Sequence, residues 1–326
     1  MRTPLIAALA CLPALAAIQG TVINKTAGKP QPGVTVVLTS LGAGGMQVAG
    51  KTVSGAGGRF KIEGDAGSAH LVQASWQGVN YNQTIQPGSA DFEITVYDAL
   101  PKVGAAQVTQ HMILLETDGK ELVVNESVIY RNDSQTTWYD PKGGTLRVFV
   151  PAAAGGNVRA RVLSPGGMPV EREPKRAAEK GVWYLDSAVK PGETRFDISY
   201  KMPVTEPVTF ASRVLHEPGP TRIVVPQGIT LEGDGVTQIG TEPSTQATVW
   251  SLKTADFKVT LAGSGALREA PGAQQESANE GPGIQTISPP GYERNWKVVL
   301  ALALAILALG FVAQYLKGGA GSSRKA

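Results

Sequence analysis

Residues 29–38, Lys29-Pro30-Gln31-Pro32-Gly33-Val34-Thr35-Val36-Val37-Leu38, carry the pattern that decides the fold. Pro32-Gly33 is a turn pair, since proline pre-sets the first central dihedral and glycine accepts positive φ at the next. The residues after it have period two. Val34, Val36 and Leu38 fall on one face and Thr35, Val37 and Thr39 on the other, the signature of a half-buried strand on a pleated backbone. The same alternation returns at Phe92, Ile94 and Val96 against Glu93, Thr95 and Tyr97. Between them, glycine clusters at 42–45 and 55–58 and the triplet Gln86-Pro87-Gly88 punctuate the chain at the spacing of an antiparallel sandwich. The expectation is a first β-sandwich over residues 18–98, in a chain that is all-β outside one C-terminal helix.

Three phrases in this module, Gly20-Thr21-Val22, residues 29–38 and Gly58-Arg59-Phe60-Lys61-Ile62, resemble the carboxypeptidase regulatory-like domain. That resemblance implies a transthyretin-like, seven-stranded sandwich over about a quarter of the chain. It also implies that Gly58 makes a tight turn before Phe60 enters the core. Where many members carry Asp in that turn, this chain has Gly55, so no carboxylate is offered there for calcium. Zinc-peptidase chemistry is not implied. It needs clustered His and Glu ligands with a general base, and the three histidines, His70, His111 and His216, are far apart with no ligand spacing. Each reads as a strand or loop residue. Tyr97 points away from the Phe92 face and is the candidate aromatic contact of the module. Trp76, which shares a face with Val72 and Ala74, reads as core.

Residues 103–263 are again strand and turn, with apolar runs at 111–115, 122–130, 146–150, 158–163, 196–200, 223–225 and 257–261. Pro203 and Pro207 fall where a second sandwich, residues 103–202, should be complete, leaving 203–265 as an additional β region packed on it. Residues 132–134 and Pro191-Gly192 read as turns. A hairpin over residues 145–150 and 157–163 would bury Leu146, Val148 and Val150 against Val158, Ala160 and Val162. Arg147, Arg159 and Arg161 would then stand together on the other face. Like charges opposed across strands repel, so such a patch calls for an acid such as Glu171, Glu173 or Asp197, or for an anionic partner. The mixed-charge run 171–180 reads as a solvated loop.

The two ends of the chain read as membrane signals. Residues 298–316 contain no charge and, at 1.5 Å rise per residue, match the roughly 20 residues that a bilayer core requires. Trp296 and Tyr315 stand at the two interfaces of such a helix, flanked by Lys297 and Lys317. Lys317, Arg324 and Lys325 without acids place the short tail, 317–326, in the cytoplasm. Residues 1–17 have the form of a secretory leader, Arg2 and a short apolar run ending in small residues, with Cys11 as a lipidation alternative. Loss of the leader removes the chain's one cysteine and with it thiolate chemistry. Residues 266–296, rich in Pro, Gly, Gln, Ser and Glu, read as a flexible stalk.

The whole chain has net charge +3, but the excess sits in the leader, the helix flank and the tail. Without those, about 25 basic residues face 27 acidic ones, so no basic stripe suggests a nucleic-acid partner. No nucleophile, base and orienter occur at a recognisable spacing, and no cofactor is implied. The expectation is a non-catalytic, single-pass protein of the bacterial cell envelope with its N-terminus outside the cytoplasm. Its partners would be membrane lipid through the helix and a protein or glycan of the envelope. The alternatives are a carbohydrate or cell-wall binding protein, or an accessory subunit of an envelope or respiratory-complex assembly system.

Overall fold

The computed structural model describes residues 17–267, apart from 43–44, 64–67, 88–90, 205 and 217–218. The proposed membrane helix at 297–316, its flanks, the tail and the leader before Ala17 lie outside the described residues, as does the stalk beyond Leu267. Among the described residues there is no α-helix, and no helix long and apolar enough to cross a membrane. The fold is all-β, with several sheets facing one another around two hydrophobic cores.

The first core is enclosed by two four-stranded sheets. One is centred on β1 (Ala17–Asn24), which pairs along one edge, in parallel, with β8 (Asp91–Val96). Its other edge takes β5 (Arg59–Glu63) and the short β2 (Lys29–Pro30), both antiparallel. The other sheet runs in the order β4 (Gly45–Val53), β3 (Thr35–Gly42), β6 (His70–Trp76), β7 (Val79–Ile85). Val34, Val36 and Leu38 are fully buried, as the alternation requires, and Phe60 is buried with them.

Two glycines are dictated by close approach. Gly20 is the register partner of both Phe60 and Phe92. A Cβ there would stand 2.5 Å from the Phe92 carbonyl oxygen and 2.9 Å from the Phe60 ring. Its bareness lets the two rings meet edge to face at 5.6 Å. Gly58, at φ +70°, would place a Cβ 2.5 Å from the Val22 carbonyl and 2.9 Å from the Gln31 amide, so only glycine makes this turn before Phe60.

The second core lies on one face of an eight-stranded sheet. Two long strands, β10 (Ala106–Thr117) and β11 (Glu121–Asn132), form its centre. On the β11 side follow β18 (Gly192–Pro203), β14 (Val158–Leu163) and β15 (Val170–Arg172). On the β10 side follow β20 (Thr221–Val225, parallel to β10), β23 (Thr248–Leu252) and β22 (Val236–Thr241). Strands from residues 221–252 therefore complete a sheet begun at residue 106, and residues 106–261 share one core.

Two three-stranded sheets contribute the opposing apolar side chains: β13 (Leu146–Phe149), β17 (Val182–Leu185) and β16 (Lys175–Arg176), and, separately, β19 (Val208–Arg213), β24 (Asp256–Gly263) and β21 (Ile229–Gly233). β13 lies against β19 without pairing, so a seam separates the two small sheets.

A bulge in β10 decides what faces this core. Ala106 and Val108 point inward, the register shifts between Val108 and Gln110, and from there His111, Ile113, Leu115 and Thr117 point inward. The extra residue changes the parity of alternation and turns a histidine into the interior.

The two cores are joined by a two-stranded parallel ladder, β9 (Ala99–Leu100) with β12 (Thr137–Trp138), and by a hub at Asp98. The Asp98 carboxylate accepts from Asn24 Nδ2 at 2.8 Å, Trp76 Nε1 at 3.0 Å and Gln77 Nε2 at 3.4 Å. Its carbonyl accepts from the Thr137 amide at 2.9 Å.

The hairpin expected between residues 145–150 and 157–163 does not form. β13 pairs with β17, and β14 pairs with β18 and β15. Between β13 and β14 the chain makes a 3-10 turn over Ala152–Ala154 and leaves it with Gly155 in the left-handed region. This connection crosses from the small sheet to the large one instead of reversing within a sheet. Likewise, the run 171–180 is not simply a loop, since it contributes to β15 and the whole of β16.

Candidate functional site

Two constellations stand out, one buried and one open. The buried one crosses three adjacent strands on the inward face of the large sheet: His111 on β10, Glu126 on β11 and Tyr200 on β18. His111 is opposite Val128 and Tyr200 is opposite Val124, so Glu126 lies diagonally between them. Tyr200 Oη donates to Glu126 Oε1 at 3.2 Å, and His111 Nε2 stands 3.5 Å from Glu126 Oε2. His216 Nε2 reaches His111 Nδ1 at 2.9 Å, with the rings edge to face. The sequence keeps these two histidines 105 residues apart; β10 and the segment before β20 bring them together.

His111, Glu126 and Tyr200 are 4%, 5% and 2% exposed. The Tyr200 phenol is held well above its ordinary pKa, by burial first and then by the Glu126 charge. A carboxylate taken out of water this far needs partners; Tyr200 supplies one hydrogen bond, while His111 Nε2, though 3.5 Å away, makes none. Among the described residues no group of three or more His, Cys, Asp or Glu is placed to share a metal ion. His70 is in the first module, with Nδ1 2.8 Å from the Ser68 carbonyl oxygen.

The open constellation is a groove of about 590 Å³ between the loop after β13 and the β16–β17 hairpin. It continues past Phe149 into a shallower cleft of about 410 Å³ at the seam with β19 and β24. Phe149 lines both. Trp183 on β17 forms part of the wall, and the Arg176 guanidinium stacks over its indole, 4.8 Å from the ring centroid. Glycines let backbone approach these side chains: a Cβ on Gly181, at φ +80°, would stand 2.7 Å from the Phe149 ring. One on Gly156, at φ +85°, would stand 2.6 Å from the Arg176 guanidinium.

Charges around the groove fall into two sets. Glu179 holds Arg213 at 3.0 Å and Arg147 at 3.4 Å, and Asp256 holds Arg213 again at 2.7 Å. Arg213 also lies over the Phe149 ring at 5.8 Å. Arg176 and Lys180, in contrast, have no carboxylate partner among the described residues.

Of the arginines expected in one patch, Arg147 is therefore at the groove, paired with Glu179, while Arg159 and Arg161 are on β14 in the large sheet. Arg161 is flanked in register by Glu171 and Asp197, and Arg159 by Ser199. The structure does not bring the three together. Tyr97 is half-buried against the first core, 6.0 Å from the Tyr81 ring, with its carbonyl accepting from the Tyr81 hydroxyl at 2.9 Å. Trp76 also packs against that core, and its indole N–H is committed to Asp98.

Trp296, Lys297, Tyr315 and Lys317 lie outside the described residues. The groove residues Phe149, Arg176, Lys180 and Trp183 were not legible as a site; the only signal was the mixed-charge run standing directly before Val182-Trp183-Tyr184-Leu185.

No protein-family model matches the chain, and no curated protein matches it at a significant level.

Proposed function

We propose that this chain is a non-catalytic recognition module of the bacterial envelope, carried outside the cytoplasm on a single C-terminal membrane helix. The observation that supports recognition best is the groove along β13, β16 and β17. It is open, lined by two aromatic side chains, and edged by cations, two of which lack an internal carboxylate among the described residues. Concave sites with a few convergent polar groups are where ligands bind. Support for the absence of catalysis comes from the His111–Glu126–Tyr200 network, whose members could exchange protons but are shut into the core. Support for the anchor is the uncharged run 298–316 with its aromatic and basic flanks. The resemblance of the first module to the carboxypeptidase regulatory-like domain agrees with a supporting sandwich.

Between a glycan partner and a role in assembling another envelope complex, the concave groove favours the glycan, because small ligands bind in clefts whereas protein partners take larger faces. The test is topological and biochemical together. The full-length protein should resist carbonate extraction from vesicles and be degraded by external protease in spheroplasts down to a small membrane-embedded fragment. In-cell cross-linking should capture an envelope component. Release by carbonate, or protection of the bulk of the chain from protease, would sink this reading.

A further inference from the structure

We propose that the groove between residues 150–156 and the β16–β17 hairpin binds an acidic glycan, with a sugar ring in the groove beside Phe149 and Trp183 and an oxyanion on Arg176 and Lys180. This deepens the recognition reading above and rests on it. Charge selects the anion. Of the cations around the groove and the adjoining cleft, Arg147 and Arg213 are answered by Glu179 and Asp256, whereas Arg176 and Lys180 have no acid to answer them among the described residues. Arg176 is pre-set for the task. Stacking at 4.8 Å over Trp183 fixes the plane of its guanidinium; one terminal nitrogen lies close to Gly156, and the exposed side of the group, with no acid partner among the described residues, can take a carboxylate, phosphate or sulfate.

Shape selects the sugar. Gly156 and Gly181 let backbone lie close against Arg176 and Phe149, and the space left between the two walls, about 590 Å³, admits a sugar ring. An acidic peptide fits less well. Peptides that bind sheets by strand addition need a long unpaired edge; the outer strands of this small sheet, β13 and β16, are only four and two residues long.

The experiment is calorimetric titration of the detergent-solubilised full-length protein with oligogalacturonate, with neutral maltoheptaose and with poly-glutamate. Wild-type protein should bind oligogalacturonate and neither of the other two. The R176Q/K180Q double variant should weaken that binding about tenfold or more, as loss of charge-assisted bonds implies. R176K should also weaken it, since an ammonium keeps the charge but loses the stacked fork. R131Q, at an exposed ion pair with Asp133, should bind as wild type does. The altered positions 176 and 180 are exposed, and an unchanged Tm reports that the variants fold. No binding by wild type, equal binding of poly-glutamate, or indifference to R176Q/K180Q would overturn the proposal. Envelope cross-links retained despite that result would leave the broader recognition reading standing, and their loss would remove it as well.

Discussion

Glu126 concentrates the energetic tension of the second core. Its carboxylate has left water and depends on one hydroxyl, Tyr200 Oη, and one imidazole, His111. Removing the carboxylate orphans the Tyr200 hydroxyl, and a buried polar group without a partner costs roughly 1–3 kcal/mol. Glu126→Ala should therefore lose about 3 kcal/mol or more once the cavity it leaves is included. Glu126→Gln keeps an acceptor for Tyr200 and should lose clearly less. Chemical denaturation of the two variants against wild type checks this, and equal losses would mean that the side chain acts only by filling space. At Asn24 and Asn132, which begin Asn-x-Ser/Thr triplets, burial decides the role. Both are inside, Asn24 binding Asp98 and Asn132 capping the turn to Ser134, so the triplets are structural.

At the scale of elements, the joint between the modules turns on Asp98. Its carboxylate gathers three donors from β1, β6 and the turn after β6, while its own amide donates to Thr26 Oγ1 at 2.9 Å. All three donors belong to the first module, so Asp98→Ala acts on the joint indirectly, by freeing the residue whose backbone carbonyl holds Thr137; it should leave each sandwich folded and loosen the connection. Faster proteolysis between residues 98 and 106, with little change in far-ultraviolet circular dichroism, is the expected result; an unchanged cleavage rate would show that the β9–β12 ladder alone holds the joint.

Much of this element structure was legible. Val34, Val36 and Leu38 alternate in sequence and are buried in the structure, and Pro32-Gly33 and Gly58 turn where their chemistry demands. What escaped was partner choice. Leu146–Phe149 has strand character whichever strand it meets, and neighbouring sequence favours 158–163, but pairing with Val182–Leu185 depends on which layer the intervening turn enters. The groove was hidden for the same reason, since Phe149 and Trp183 become neighbours only through that pairing. His111 and His216 were hidden because a single bulged residue sets the parity of β10.

Over the whole molecule, Lys190 reports on how the two sandwiches meet. It belongs to the turn before β18, yet its ammonium lies 5.1 Å from the ring of Tyr81 in the first module. Tyr81 is itself tied across the joint, accepting from the Thr137 hydroxyl at 2.8 Å while it donates to the Tyr97 carbonyl, and burial pushes its phenol up to about 12. Two effects oppose each other at Lys190. The π face of Tyr81 favours the charged amine, but burial, followed by repulsion from Arg172, lowers its pKa from 10.5 to about 8. The sign follows from proton counting. Between those two values the unfolded chain binds a proton that the folded chain has released, so stability rises with pH across this window, and the gain is lost again as pH falls back to about 8. Lys190→Met removes the titration and keeps the stem. Relative to this variant, wild type should gain stability on the order of 1–3 kcal/mol between pH 8 and 10.5, other titrating groups cancelling in the difference. Denaturation midpoints of the two proteins across that range give the measurement. A difference independent of pH would mean that the amine stays hydrated in the folded protein, and that the sandwiches meet more loosely than the contact with Tyr81 implies.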